Sequence, residues 1–319
     1  MPNNILMYFC QTIFFKMNYS TSDFTLGILG GGQLGKMLLQ VTSRLSIKTN
    51  VLDPSDDSPC KEMCSEFTKG QLMDFDAVYN FGKKCDVVTY EIEHVNVDAL
   101  EKLEKNGVNV YPDSKTLKII QDKSTQKKFF LKNNIPTANH KYFKSMNDLE
   151  SIKYPCVWKK TKFGYDGYGV KILKSKEDFK NLPETEFIIE DLIPFKKELA
   201  TTVARNKSGQ IEIFPIVEMM FNDTSNQVEY VLCPAQISSE LNEKAKKIAL
   251  KVSESFKQVG LLAVEMFLTH DDEILINEVA PRPHNSAHYS IESCVNSQFD
   301  QHINSILDLP LGSSKSNSL

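Results

Sequence analysis

The stretch Thr25-Leu26-Gly27-Ile28-Leu29-Gly30-Gly31-Gly32-Gln33-Leu34-Gly35 decides the class of fold. Its first half, Thr25–Leu29, is a short apolar strand. Its second half spaces glycines as Gly30-x-Gly32-x-x-Gly35 and runs into Lys36–Leu45, where Met37, Leu38, Val41 and Leu45 fall at helical spacing. A strand at Lys48–Leu52 follows and ends on Asp53-Pro54. Further along come a strand at Asp86–Tyr90 leading into Glu91-Ile92-Glu93-His94, a helix at Asp98–Lys105 and a strand at Val108–Tyr111. Strands alternating with helices predict an α/β domain with a parallel sheet covered on its faces. Its ligand site is expected at the carboxyl ends of the strands, beside the glycines and Glu91 and Glu93.

Composition narrows the classes further. The chain has 319 residues, 41% hydrophobic and 24% charged, which suits two soluble domains and excludes disordered, collagen-like and multi-span membrane chains. A net charge of −4 advertises no basic face for nucleic acid. Arg44, Arg205 and Arg282 are the only arginines, and eight of the 14 glycines crowd into two short stretches. Seven cysteines without a CxxC read as free thiols in a reducing cytosol. Ile5–Phe15 is apolar but too short to span a bilayer, with neither a basic run before it nor a cleavage site after it. Residues 1–24 are therefore expected to be a dispensable, disordered extension, with Met17 an alternative start.

After Pro112 the texture changes. Ser114–Asn134 is lysine-rich and helical, with a helix opening after Asp122. Short strands are expected at Cys156–Lys160, Val170–Leu173, Phe187–Glu190, Leu199–Ala204 and Ile211–Pro215, then a helix at Glu240–Val259. A strand pair, Ala263–Thr269 and Glu273–Val279, closes on Ala280-Pro281-Arg282-Pro283-His284-Asn285. The domains are read as 25–112 and 113–312, with a lid at about 150–190 and a polar, mobile tail at 313–319.

Four clusters can carry chemistry. Gly30-x-Gly32-x-x-Gly35 with Asp53 after the second strand is the dinucleotide-binding arrangement; the plainer alternative is a tight strand-to-helix turn holding another ligand. Lys162-Phe163-Gly164-Tyr165-Asp166-Gly167-Tyr168-Gly169, near Lys159 and Lys160, can fold over a triphosphate, although a flexible hairpin would look the same. With Asp271-Asp272 as a two-residue turn, Glu265 and Glu278 face each other across the last strand pair. Like charges so placed destabilise a hairpin unless a cation lies between them, and Mg²⁺ takes one or two carboxylates plus nucleotide phosphates. Two exposed glutamates are the alternative. Arg282, His284 and Asn285 together can hold a small planar anion. His94 and His288 read as structural, and Lys123 as either solvated or phosphate-facing.

In order and spacing, Gly30–Gly35, Phe163-Gly164-Tyr165-Asp166-Gly167-x-Gly169 and Asn277-Glu278-x-Ala280-Pro281-Arg282-Pro283-His284-Asn285-Ser286 resemble the N5-carboxyaminoimidazole ribonucleotide synthetases, ATP-grasp enzymes of purine biosynthesis. The last motif is the most specific. The resemblance runs from about Thr25 to Gly312. It implies a Rossmann-like pre-ATP-grasp domain followed by an ATP-grasp fold. It also implies a cytoplasmic ligase that commonly dimerises, acting on aminoimidazole ribonucleotide and bicarbonate with ATP and Mg²⁺, without nucleic acid or membrane.

Carried over by residue, the resemblance gives Lys123, Lys159 and Gly164, Tyr165, Asp166, Gly167, Tyr168, Gly169 and Val170 to the ATP phosphates. It gives Glu190, Asp191, Leu192 and Ile193 to an adenine hinge and Glu198 to the ribose. Glu265 and Glu278 would hold Mg²⁺, with Asn277 beside them. Arg282, His284 and Asn285 would bind bicarbonate; Gln33, Leu34, Glu91 and Asp166 would contact the substrate nucleotide. The glycine hairpin would be a mobile lid. Phe221 stands where many relatives carry a nucleotide-contacting histidine. Relatives continue past Pro310-Leu311-Gly312 into a β-rich segment whose basic residues hold the substrate's phosphate. The expectation here is near-normal ATP binding and weak substrate binding. The alternatives are a formate-using relative such as glycinamide ribonucleotide transformylase, an NAD-dependent dehydrogenase using Gly30–Gly35 and Asp53, or an inactive remnant.

Overall fold

The computed structural model describes residues 19–146, 152–162, 169–221 and 228–317. The first sheet is parallel, in the order β3-β2-β1-β4-β5, from β1 (Leu26–Leu29), β2 (Thr49–Asp53), β3 (Glu66–Lys69), β4 (Val87–Tyr90) and β5 (Asn109–Val110). Helices α1 (Gln33–Arg44), α2 (Phe75–Gly82) and α3 (Val97–Lys105) connect its strands. The β1 and β4 strands are buried along their whole length, as continuous apolar runs in a covered parallel sheet should be. The sequence reading missed β3 and α2, because Glu66-Phe67-Thr68-Lys69 on an edge strand is polar and partly exposed.

The lysine-rich stretch after Pro112 is two helices, α4 (Ser114–Ile120) and α5 (Lys123–Lys132). Asp122 ends the first and caps the second, accepting from Thr125 N–H at 2.8 Å, while Lys123 N–H donates to Thr161 O at 2.8 Å. That break puts Lys123 at the head of a helix. An antiparallel sheet in the order β6-β9-β7-β8 follows, from β6 (His140–Phe143), β7 (Cys156–Lys160), β8 (Val170–Leu173) and β9 (Phe187–Asp191).

The second antiparallel sheet runs β13-β12-β10-β14-β15, with β11 paired to β10. Its strands are β10 (Phe195–Arg205), β11 (Ile211–Ile213), β12 (Val217–Phe221), β13 (Val228–Leu232), β14 (Gly260–Thr269) and β15 (Ile274–Ala280). Helix α6 (Ser239–Phe256) lays Ala245, Ala249, Val252 and Phe256 on one face, against Leu199, Val203, Leu262, Val264, Met266 and Ile276. Each buried aliphatic side chain of this kind contributes about 1.5–3 kcal/mol of transfer free energy. The opposite face carries Glu198 and Glu265 beside the buried Ala200, Val217 and Met219.

After α7 (Ser290–Ser293), helix α8 (Gln298–Ile306) lies between the two domains. Phe299, Ile303 and Ile306 pack with Leu26, Ile28 and Leu38 of the parallel sheet and α1. His302 Nε2 lies 2.7 Å from Thr89 Oγ1 in a fully buried contact. Residues on either side of the two domains are also packed. Phe24 is buried, Tyr19 meets it edge-on with centroids 5.0 Å apart, and the Tyr19 hydroxyl donates to Leu307 O. Residues 19–24, read from sequence as part of a disordered extension, are thus held by aromatic packing. The tail read as mobile is anchored up to Asn317. Ser314 is buried and donates to Ile213 O at 2.6 Å, and Asn317 N–H donates to Ser293 O at 2.7 Å.

Candidate functional site

The site face of the second sheet owes its composition to a β-bulge. The β14–β15 turn has three central residues, His270, Asp271 and Asp272, and not two: Thr269 N–H donates to Glu273 O at 2.9 Å and Asp272 is left-handed at φ 60°. From the tip the register pairs Leu268 with Ile274 and Met266 with Ile276; it then shifts, so that Val264 pairs with Val279 and Ala263 with Ala280. One residue of β14, Glu265, therefore stands opposite two of β15, Asn277 and Glu278. Successive residues of an unbroken strand face opposite ways. Ile276 and Val279, three apart, both enter the α6 core. Asn277 and Glu278 must then share the other face, which is what a bulge permits. The expected juxtaposition of Glu265 and Glu278 stands, and its assumed two-residue turn is corrected: the longer turn and the bulge offset each other.

Glu265 is crowded by acid. Burial first, then the carboxylates of Glu278 and Glu198, push it up to about 8. Burial raises Glu198 to about 7, with Glu278 adding to the rise and Lys159 opposing it. Burial also acts upward on Glu278, but the ammoniums of Lys123 and Lys159 hold it well below the usual carboxylate range. Lys123 Nζ forms an ion pair with Glu278 Oε2. Asn277 accepts from Lys159 Nζ at 2.8 Å and reaches Glu265 Oε2 at 3.5 Å. Among the described residues no group of three or more His, Cys, Asp and Glu is placed to hold a metal ion. Two hard carboxylates and an amide, one of them strained toward protonation by like charge, fit a cation that completes its shell from phosphate and water.

The strand's exit supplies the anion group. Arg282 Nε lies 3.2 Å from Glu93 Oε1, across the domain boundary. His284 Nδ1 accepts from Ser286 N–H at 3.3 Å, which leaves the ring proton on Nε2, 3.3 Å from Glu265 Oε1. Burial, and then the Arg282 charge, lower His284 to about 3, so the ring is neutral. Gln298 holds the His284 backbone at both ends, accepting from its N–H and donating to its O at 2.8 Å each, and its side chain also meets His288 Nδ1 at 3.0 Å. His288 also stacks on Phe299, with ring centroids 6.0 Å apart. Asn285 is exposed beside them.

The glycine turn differs from the dinucleotide expectation. Gly31 N–H donates to Asp53 Oδ2 at 2.7 Å and Gly32 N–H to Glu91 Oε1 at 2.9 Å. The donors that would hold a diphosphate are satisfied by the chain's own carboxylates. Gly30 sits at φ 97°, and a Cβ on Gly35 would lie 2.8 Å from Gly30 O, so both glycines serve the turn itself. Glu91, expected at the substrate, is buried against this turn; burial raises its carboxyl and the Gly32 N–H opposes that. Gln33 and Leu34 begin α1 beside it.

Glu190 has side-chain partners that the sequence does not reveal. Its side chain, placed by sequence at an adenine hinge, is turned into the protein between Lys127, 3.0 Å away, and Lys159, 2.9 Å away. Asp191 accepts from Asn139 Nδ2 at 2.9 Å, and Leu192 and Ile193 are half-buried in the connection to β10. Lys127 was missed, since a lysine within Lys123-Ser124-Thr125-Gln126-Lys127-Lys128 carries no mark of burial. Residues 164–168, with the glycine-loop expectations for Gly164, Tyr165, Asp166, Gly167 and Tyr168, lie outside the described residues; Gly169 (φ 83°) and Val170 border them. Phe221 ends β12, pairs with Val228 and packs against the cluster of Ala200, Val217 and Met219. No helix among the described residues is long and apolar enough to cross a membrane.

Comparison with known proteins bears on this arrangement. Residues 24–121 match the ribonucleotide synthetase preATP-grasp domain family, and residues 128–299 match the ATP-grasp domain family. A chloroplastic phosphoribosylaminoimidazole carboxylase of Vigna aconitifolia is 40% identical over 301 residues, 91% of this chain and 53% of that protein. The chain thus spans about half the length of the first curated relatives it matches. The crystal structure of N5-carboxyaminoimidazole ribonucleotide synthetase from Thermotoga maritima is 41% identical with a TM-score of 0.84, covering 92% of this chain and 78% of that one. The Aspergillus clavatus N5-carboxyaminoimidazole synthase in complex with ADP and 5-aminoimidazole ribonucleotide is 36% identical with a TM-score of 0.83, covering 92% and 79%.

Proposed function

The chain belongs to the N5-carboxyaminoimidazole ribonucleotide synthetase family of ATP-grasp proteins, and we propose that it joins bicarbonate to the amino group of 5-aminoimidazole ribonucleotide at the expense of ATP. The products are N5-carboxyaminoimidazole ribonucleotide, ADP and phosphate. The observation that carries this is the bulged face, where Asn277 and Glu278 meet Glu265 with Lys123 and Lys159 alongside and Arg282 and His284 at its exit. The Aspergillus relative binds ADP and the aminoimidazole nucleotide, the two ligands this reading requires.

Lys123 and Lys159 would neutralise the β- and γ-phosphates, which residues 164–170 would also help to hold. The backbone of residues 190–193 would border the adenine, the Glu190 side chain being turned inward, and Glu198 would accept from the ribose hydroxyls. Glu265, Glu278 and Asn277 would hold Mg²⁺, which when bound supplies neutralisation of charge on the transferring phosphoryl group. The Arg282 guanidinium, whose Nε meets Glu93 and whose Nη1 donates to Pro283 O at 2.9 Å, would present its remaining N–H groups to the planar bicarbonate, with Asn285 as a further donor. Neutral His284 would donate from Nε2 to Glu265, aligning that carboxylate. A bicarbonate oxygen attacks the γ-phosphorus as the bond to ADP breaks, giving carboxyphosphate. The substrate's amine then takes the carboxyl carbon, losing a proton, and phosphate leaves. Gln33, Leu34, Glu91 and Asp166 would hold that amine's nucleotide in the crevice. The protein as a homodimer of the cytoplasm completes this reading.

The test is calorimetry with ATP·Mg²⁺ and with NAD, followed by phosphate release with and without bicarbonate and aminoimidazole ribonucleotide. ATP binding without NAD binding, and release dependent on both co-substrates, is expected. Tight NAD binding alone, or release supported by formate and glycinamide ribonucleotide instead, would replace it.

A further inference from the structure

Lys127 is 2% exposed, and none of the roles above uses it. A buried ammonium needs a compensating charge and hydrogen bonds. Lys127 has both: its Nζ lies 3.0 Å from Glu190 Oε1 and donates to Thr137 Oγ1 at 2.6 Å. The other Glu190 oxygen is 2.9 Å from Lys159 Nζ, which also donates to Asn277 at 2.8 Å. Glu190 and Lys159 are themselves 2% and 7% exposed. One buried carboxylate is therefore shared by two ammoniums. Against the upward push of burial, Lys159 and Lys127 hold Glu190 down to about 2, so it is ionised at neutral pH. Lys127 lies one helical turn after Lys123 in α5, so a single helix sends one lysine to Glu278 and another to Glu190 behind it. The Thr137 hydroxyl passes the connection on, donating at 2.7 Å to the carbonyl of Ile276, next to Asn277.

The charge count explains the need for a second lysine. Glu190 with Lys159 alone is a neutral pair. For Lys159 to engage a phosphate it would have to loosen from Glu190 and leave that carboxylate buried and unpaired, which is costly. With Lys127 present the group carries one surplus positive charge, and Glu190 stays compensated while Lys159 faces the cleft. We propose that Lys127 is a positioning residue that neutralises Glu190 from behind, so that the Lys159 ammonium is free to bind the nucleotide's phosphates. This rests on the reading of the cleft as an ATP site.

The experiment measures ATP and adenosine affinities for the parent, Lys127→Met, and the balanced double variant Lys127→Met/Glu190→Gln. An amide oxygen at position 190 still accepts from Lys159, but carries no charge to hold it. Lys127→Met is expected to weaken ATP about tenfold to a hundredfold, the worth of one impaired charge-assisted contact. Adenosine, without phosphates, should bind within about twofold of the parent. The double variant should return ATP affinity to within about threefold of the parent. A loss of adenosine affinity equal to the loss for ATP, or a double variant as weak as the single, would overturn the proposal. If the single variant does not fold, the double variant decides by its ATP affinity alone: parent-like supports, tenfold weaker overturns. A parent that binds no ATP would defeat the reading of the cleft and this inference with it; a parent that binds ATP beside an indifferent Lys127→Met defeats this inference only.

Discussion

The glycine turn at the head of α1 and the bulged face of β10, β14 and β15 both gather groups that hold ions, and they treat those groups in opposite ways. At the turn, the Gly31 and Gly32 N–H groups are met by Asp53 and Glu91 at 2.7 and 2.9 Å. At the bulge, Glu265, Glu278 and Glu198 crowd one another, and Lys123 compensates Glu278 while Glu265 is pushed up to about 8. The turn is a finished joint, since its donors already have charged acceptors. The bulge stores like-charge repulsion that a bound cation relieves. Unrelieved like charge gives the bulge a thermodynamic reason to take up a cation; the satisfied N–H groups of the turn have no such reason to take up a diphosphate.

The sharpest way to break the comparison is Glu278→Gln. A neutral amide removes one of the two cation-holding carboxylates and the partner of Lys123, so Mg²⁺-dependent phosphate release should fall below detection. Turnover equal to the parent at ordinary Mg²⁺ would remove Glu278 from the site. Next in size is Arg282→Lys. An ammonium keeps the charge but loses the planar fork, and the bicarbonate concentration for half-saturation should rise about tenfold or more with ATP affinity unchanged. Saturation curves that overlay the parent's would refute the role.

On the other side of the comparison, Asp53→Asn should cost about 1–2 kcal/mol of stability in denaturant unfolding, by weakening a charge-assisted bond to Gly31 N–H. ATP affinity should not move. A large loss of ATP binding with unchanged stability would mean that the turn holds ATP after all.

The smallest effect is a pH slope without divalent cation. Glu198 and Glu265 have folded-state values raised to about 7 and about 8. Between their unfolded values and these, the native state holds more protons than the unfolded chain, so stability falls as pH rises. His284 and His302, both lowered to about 3, act the opposite way: the unfolded chain takes up their protons as pH falls below about 6.5. Lys127, lowered to about 8, affects stability only above that pH. From about pH 6.5 to 8 these glutamates therefore set the slope, with Glu91, also raised by burial, acting in the same direction, and the melting temperature should decline slightly. Mg²⁺ with ADP should flatten that decline; an identical slope with and without them would count against cation binding at the carboxylates.

Much of this protein is written locally. The strand-turn-helix at Thr25–Leu45 follows from an apolar run, glycines and helical spacing, and β1 and α1 lie there within a few residues. The split of the lysine-rich segment is readable at Asp122, a capping residue. Polar edge elements such as β3 were not legible, because neither face of that strand is apolar enough to show a period. The site residues on β14, β15 and the segment after it were legible as a motif, but their geometry was not: it depends on a three-residue turn and a bulge whose effects on register offset each other.

Composition and periodicity by themselves determined the α/β class, the two-domain order and the residue types that carry chemistry, because short-range spacing sets which face of an element a side chain takes. Only the tertiary structure decided which charges are spent and which remain. Asp53 and Glu91 come to the glycine turn from different strands of the parallel sheet, and Lys127, Glu190 and Lys159 converge from α5, β9 and β7. Whether a charge is compensated depends on partners distant in sequence and a few ångströms away in space, and Coulomb energy and desolvation are set by that separation and burial, not by position along the chain.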